Sequence, residues 1–92
     1  MAEKEARIAI TDNVKAAIFF GTGDINFRHI KNISNAQILA RGSDILIKGT
    51  DEDVEYAAEL INRLLDIVDN EEQLNINDIN YANTLLKRGE KV

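Results

Sequence analysis

Between Thr50 and Asp69 the chain carries an apolar arc too wide for one neighbour, and this constrains the fold more than any other feature. Val54, Ala58, Ile61, Leu65 and Val68 form one stripe at helical spacing, and Ala57, Leu60, Leu64 and Ile67 form another beside it. A helix of this kind must pack on more than one element. Its start is marked by Thr50 with Asp53 three residues on, in the manner of a capping box, and Asp51, Glu52 and Asp53 suit the positive end of the helix dipole. That placement accounts for the clustered carboxylates without any acid–base chemistry.

The remaining segments are shorter. Ile8 and Ile10 alternate with Arg7, Ala9 and Thr11, which predicts a short strand with one buried face. Thr11 and Asp12 then cap a short helix with Val14, Ala17 and Ile18 at helical spacing, and Gly21 ends it in a left-handed turn. Asp24 is the expected N-cap of a second short helix, in which Phe27, Ile30 and Ile33 face the core and which closes near Ser34-Asn35. Residues 36–41 and 44–49 read as a hairpin turning at Gly42-Ser43, in a register that pairs Leu39 with Leu46, Ile38 with Ile47 and Ala40 with Ile45. Ile38, Ala40, Ile45 and Ile47 share one face of that hairpin. Leu39 and Leu46 occupy the other and call for a cover. A last helix starting near Asn75–Asp78 buries Ile79, Ala82, Leu85 and Leu86, stops at Gly89, and is a candidate lid for the wide arc or for the two leucines.

Composition narrows the function. The 92 residues contain no cysteine and a single histidine, His29, so thiolate metal sites, disulfides, cysteine nucleophiles and histidine clusters are excluded. His29 is expected to face solvent or a local partner rather than a metal. With no proline, repeat or low-complexity linker, residues 1–92 read as one domain. No apolar run reaches the ~20 residues that span a bilayer, and the charged start MAEKEAR lacks a secretory stretch, so a cytoplasmic protein without membrane contact is expected. The net charge of −5 argues against unspecific binding of a polyanion. The middle third, residues 21–49, is nevertheless net +2, against −7 for residues 50–92.

The order of elements is strand, helix, helix, strand, strand, helix, with one helix appended. It resembles the type I KH fold, an α+β architecture (βααββα) whose three-stranded antiparallel sheet packs on helices and whose GXXG loop grips a sugar-phosphate backbone. The corresponding link here is Gly21-Thr22-Gly23-Asp24, with an acid in place of the last glycine. Glycines let backbone amides approach a phosphate at a helix N-terminus. The carboxylate opposes that and is better explained as the cap of the second helix.

A longer pattern runs through the chain: Phe20-Gly21, then Asp24, Asn26, Arg28 and Ile30, then Ala40-Arg41-Gly42, Ile47-Lys48-Gly49, Val54-Glu55 and the Leu74 to Ala82 segment. In order and spacing these residues closely resemble the N-terminal domain of PhoH-like ATPases across nearly all of residues 6–89. Two positions depart from that family: Thr22 stands where it usually has proline, and Leu74-Asn75-Ile76-Asn77-Asp78 stands where it frequently has L-T-P-E-D. The resemblance implies a cytoplasmic, RNA-linked ATPase associated with phosphate starvation, in which a domain like this precedes the ATPase core. No G-x-x-x-x-G-K-[ST] occurs in the 92 residues, so ATP and magnesium are expected only in an ATPase domain beyond Val92, and this stretch is expected to have no catalytic residues.

The candidate nucleic-acid contacts are Gly21, Thr22 and Gly23 of the loop, Asn26, Arg28 and Lys31 of the helix after it, and Arg41 and Lys48 of the hairpin. The bland alternative is a solvated surface with local ion pairs, such as Arg41 with Asp44, and for Asn26 a hydrogen bond within the first helical turn. Phe19, Phe20, Phe27, Tyr56 and Tyr81 are possible stacking platforms for single-stranded RNA, with Phe19 and Phe20 better explained as core. A competing reading makes the domain an assembly unit, with Leu39 and Leu46 as the interface to its own ATPase domain or to further copies of itself.

Overall fold

A computed structural model describes residues 3–89. The chain runs β1 (Lys4–Ala9), α1 (Asn13–Phe20), a 3₁₀ turn (Thr22–Asp24), α2 (Ile25–Ile33), β2 (Gln37–Arg41), β3 (Asp44–Gly49), α3 (Asp51–Glu71) and α4 (Ile76–Lys87). The three strands form one antiparallel sheet in the order β1-β3-β2, with the helices packed on one side. This is the type I KH-like arrangement with an extra C-terminal helix. The end at Val92, where a linker to a further domain was expected, lies outside the described residues.

The hairpin has the register its apolar pattern dictates: Ile38 opposes Ile47, Leu39 opposes Leu46 and Ala40 opposes Ile45. A slip of one residue would turn Ile38, Ile45 and Ile47 to solvent, and all three are buried. β1 begins earlier than its hydrophobic alternation suggests, because Lys4 and Glu5 continue the ladder opposite Gly49 and Lys48. Ile10, just past the strand, is buried, and its N–H reaches the Ser43 carbonyl at 3.3 Å.

α3 meets the demand of its wide arc by touching α1, α4, β1 and β3. Val54, Ala57, Leu60, Ile61, Leu64, Leu65 and Val68 are all buried, and Thr50 Oγ1 accepts the Asp53 N–H at the helix start. Burying each large aliphatic side chain in such a core stabilises the fold by about 1.5–3 kcal/mol. α4 opens with a reciprocal Asn75/Asp78 capping box. It lies on α3 and α2, held by His29 Nε2 at 2.7 Å from Asn80 Oδ1 and by the Tyr56 hydroxyl, which donates to Asn83 Oδ1 at 2.6 Å. The lid therefore closes over the helical arc, and Leu39 and Leu46 keep an open sheet face.

α1 differs from its sequence pattern. Ala16 and Phe19 are its buried residues, whereas Val14 and Ala17 are exposed and Ile18 is only half-buried. Apart from Asn13 and Lys15 the helix is apolar, so spacing selects no single face, and the neighbouring core takes Phe19.

Candidate nucleic-acid interface

Asp12 starts α1 by accepting the Val14 and Lys15 N–H groups, and the Gly21 N–H ends it on the Ala17 carbonyl at 3.0 Å. Gly21 has φ +80°, and a Cβ there would lie 2.9 Å from Asn26 Nδ2 and 3.0 Å from Ile25 Cγ2. Only glycine fits. The next turn closes with the Asp24 N–H on the Gly21 carbonyl, and both Gly23 and Asp24 adopt left-handed backbone, at φ 61° and 60°. Asp24 thus holds the backbone shape expected of the glycine it replaces. It is not the cap assigned from sequence, since no hydrogen bond joins its carboxylate to α2, and the left-handed conformation turns the side chain out of capping geometry. The N-terminus of α2 is left without a side-chain cap.

That terminus opens on a groove of about 500 Å³. Ala16, Ala17 and Phe20 of α1 form one wall, Gly21, Thr22 and Asp24 its end, Phe27 of α2 its floor, and Ala40, Gly42 and Ser43 of the hairpin the far side. The Phe20 and Phe27 rings lie 5.0 Å apart, tilted by 57°, and Lys31 Nζ sits 5.5 Å from the centre of the Phe27 ring. Small side chains give the groove its width, and the two rings give it an angled apolar surface beside a cation.

The structure gathers some of the sequence-derived candidates here and separates others. Gly21 and Thr22 line the groove, Gly23 is exposed at the tip of the turn, and Lys31 stands over Phe27 with Arg28 exposed one turn earlier on the same side of α2. Asn26 is 2% exposed, and its Nδ2 donates to the Ile18 carbonyl at 3.3 Å and the Leu74 carbonyl at 3.0 Å. It ties α1 to the α3–α4 connection rather than hydrogen-bonding within its own turn, and it supports the loop from behind. Arg41 is exposed and, among the described residues, unpaired, because Asp44 pairs with Arg7 across the sheet instead. Lys48 lies at the far end of β3 on the sheet face turned away from the helices, 3.9 Å from Glu5. Leu39, 39% exposed, and half-buried Leu46 share that face, so neither they nor Lys48 belong to the groove.

Sequence reasoning missed the groove's own walls. Ala16, Ala17 and Ala40 carry no polar group and Ser43 only a hydroxyl, and their shared signal is smallness at positions facing a predicted aromatic. Of the other ring candidates, Phe19 is fully buried, Tyr56 bridges α3 to α4, and Tyr81 is exposed on α4. Burial raises the Tyr56 hydroxyl above its ordinary pKa of 10.0. Among the described residues no His, Asp and Glu cluster is placed to hold a metal, and no helix is long and apolar enough to cross a membrane. No protein-family model, curated protein or solved structure matches this chain.

Proposed function

We propose that this domain holds a short stretch of single-stranded RNA in the Phe20/Phe27 groove, as a non-catalytic accessory unit of a cytoplasmic PhoH-like ATPase. The observation that supports it is the uncapped N-terminus of α2, reached through a turn with left-handed Gly23 and Asp24, at the mouth of an aromatic groove beside a lysine. Backbone amides of Thr22 and Gly23 meet a phosphate, Phe20 and Phe27 offer apolar contact to a base, and Lys31 and Arg28 supply charge. ATP and magnesium belong to the ATPase domain of the parent protein, and the present residues position RNA for it. The Asp24 carboxylate works against a phosphate, so the isolated domain binds weakly and gains from several copies acting together.

Fluorescence anisotropy with a labelled RNA of about eight nucleotides tests this. Two phosphate-neutralising side chains predict a log–log salt slope near −1.4, or roughly sevenfold loss of affinity between about 50 and 200 mM salt. The slope flattens when Arg28 and Lys31 are both changed to Ala. Absence of binding at low salt overturns the reading for this domain.

The open sheet face supports a second reading, in which Leu39 and Leu46 dock on the ATPase domain or on a neighbouring subunit. Under it, Leu39→Asp changes the sedimentation of the parent protein and leaves RNA affinity untouched.

A further inference from the structure

A second hollow lies on the other side of the same turn. It has a volume of about 530 Å³ and is walled by Ile18 of α1, Ile25 of α2, and Leu74 and Ile76 of the α3–α4 connection. Through Ile18 and Glu72 it continues into a hollow of about 450 Å³ beside Val14. Val14 is 70% exposed and Ile25 50%, while Ile18, Leu74 and Ile76 are half-buried. Val14 and Ile18, four residues apart, form one ridge of α1. The aliphatic groups are thus contiguous, unlike the scattered exposed leucines of an ordinary surface.

The rim has a definite charge. α3 ends with Asp69 and Glu71 in its last turn and Glu72 just beyond, with no basic residue in that turn. Carboxylates at a helix C-terminus oppose the dipole. Glu72 is in addition held at φ 56°, a left-handed conformation that disfavours residues with a Cβ. Lys15 answers one of these charges by pairing with Asp69 at 2.7 Å, and Asp12 on the same rim is occupied in capping α1. Among the described residues, Glu72 on the rim and Glu71 beside it stand exposed without a paired cation, next to the last carbonyls of a helix of 21 residues.

We propose that this hollow docks a basic amphipathic segment of a partner protein, its apolar side chains seated between the Val14/Ile18 ridge and Ile25 and its Lys or Arg side chains on Glu71, Glu72 and the end of α3. Charge complementarity commits the site to that occupant. An RNA would bring phosphates against the carboxylates, and a second copy would bring a chain of net charge −5 against them. The partner and the RNA would then occupy opposite sides of the Gly21–Asp24 turn.

Three synthetic peptides of about 15 residues test it by amide chemical-shift mapping on the ¹⁵N-labelled chain: a Leu/Lys amphipathic helix, its Leu/Glu counterpart, and a Lys/Gln peptide without apolar anchors. The Leu/Lys peptide should shift Val14, Ile18, Ile25, Leu74 and Ile76 and bind at least about tenfold tighter than either control. A Val14→Ser/Ile25→Ser double variant should weaken it about tenfold, and Glu71→Gln/Glu72→Gln about threefold at low salt. Both pairs are exposed, and unchanged amide spectra away from the hollow confirm that the variants fold. Equal binding by the Lys/Gln or Leu/Glu peptide, unchanged affinity in the serine variant, or shifts centred on Leu39 would each overturn the proposal. So would RNA-induced shifts in this hollow, or self-association of the chain that the serine variant abolishes. Loss of RNA binding at the Phe20/Phe27 groove leaves it standing.

Discussion

The two hollows beside the Gly21–Asp24 turn share Ala17, Gly21 and Thr22 yet differ in everything beyond that common wall. One is floored by aromatic rings, with Lys31 above Phe27; the other is aliphatic and edged by Asp12, Asp69 and Glu72. The turn supplies shape to both, and side chains arriving from distant parts of the chain decide which chemistry each accepts. A single backbone feature therefore does not name a ligand. Changes in the turn should disturb both hollows together, whereas changes at their outer rims should separate them.

The largest effect is expected at the common wall. Gly21→Ala forces a Cβ to within 2.9 Å of Asn26 Nδ2 while keeping φ at +80°, and strain plus overpacking amount to about 2–4 kcal/mol. Gly23→Ala meets nothing within 4 Å and carries only the left-handed penalty, about 1 kcal/mol. Urea unfolding of the two variants reads the difference directly. Equal costs would mean that Asn26 does not brace the turn, and the picture of one rigid wall serving two hollows would fail.

A smaller effect distinguishes the sides. α4 leads out of the Leu74–Ile76 wall of the aliphatic hollow and is fastened to α3 by Tyr56 and Asn83. Because burial raises the folded-state pKa of Tyr56, its stabilising contribution is complete below the unfolded value of about 10 and is lost as pH rises through the folded value. Stability should therefore fall above about pH 10, and Tyr56→Phe, costing about 1 kcal/mol at neutral pH, should flatten that decline. Thermal melts across this range check the sign. Amide exchange at Leu74 and Ile76 should quicken in the variant before exchange at Phe20 or Phe27 does.

Much of the architecture was legible because it rests on periodicity. The α3 arc, the Leu39–Leu46 register and the order of elements follow from apolar spacing and caps, which are local. The face of α1 was not legible, since a helix of eight residues that is apolar apart from Asn13 and Lys15 leaves the choice to its neighbours. Lys48 and Lys31 are both bases of the middle third, yet Lys48 projects from the sheet face turned away from the helices and Lys31 stands over Phe27. Sequence places both near the hairpin and loop but cannot say which side of the sheet the groove takes. The role of Asn26 was not legible either: named from sequence as a nucleic-acid contact or a bond within its own turn, it is buried, and its partners, eight and 48 residues away, lie outside any local window.

Asp24 is where the two hollows can be pulled apart most cleanly, because its side chain lines only the aromatic one. Read as a cap, it should stabilise α2, and its removal should cost about 1 kcal/mol. The structure gives the opposite sign: the carboxylate makes no capping bond, and the residue sits at φ 60°, where glycine is relaxed. Asp24→Gly should leave stability unchanged or raise it by about 0.5 kcal/mol, the relief of left-handed strain being partly offset by the greater freedom of glycine in the unfolded chain. The same change removes a negative charge from the mouth of the groove and should tighten RNA binding severalfold at low salt, while leaving the Leu/Lys peptide affinity unaltered. Loss of stability in urea would restore the capping role. Tighter RNA accompanied by weaker peptide would show that the hollows are not independent, and the turn would then act as a coupled element rather than a fixed wall.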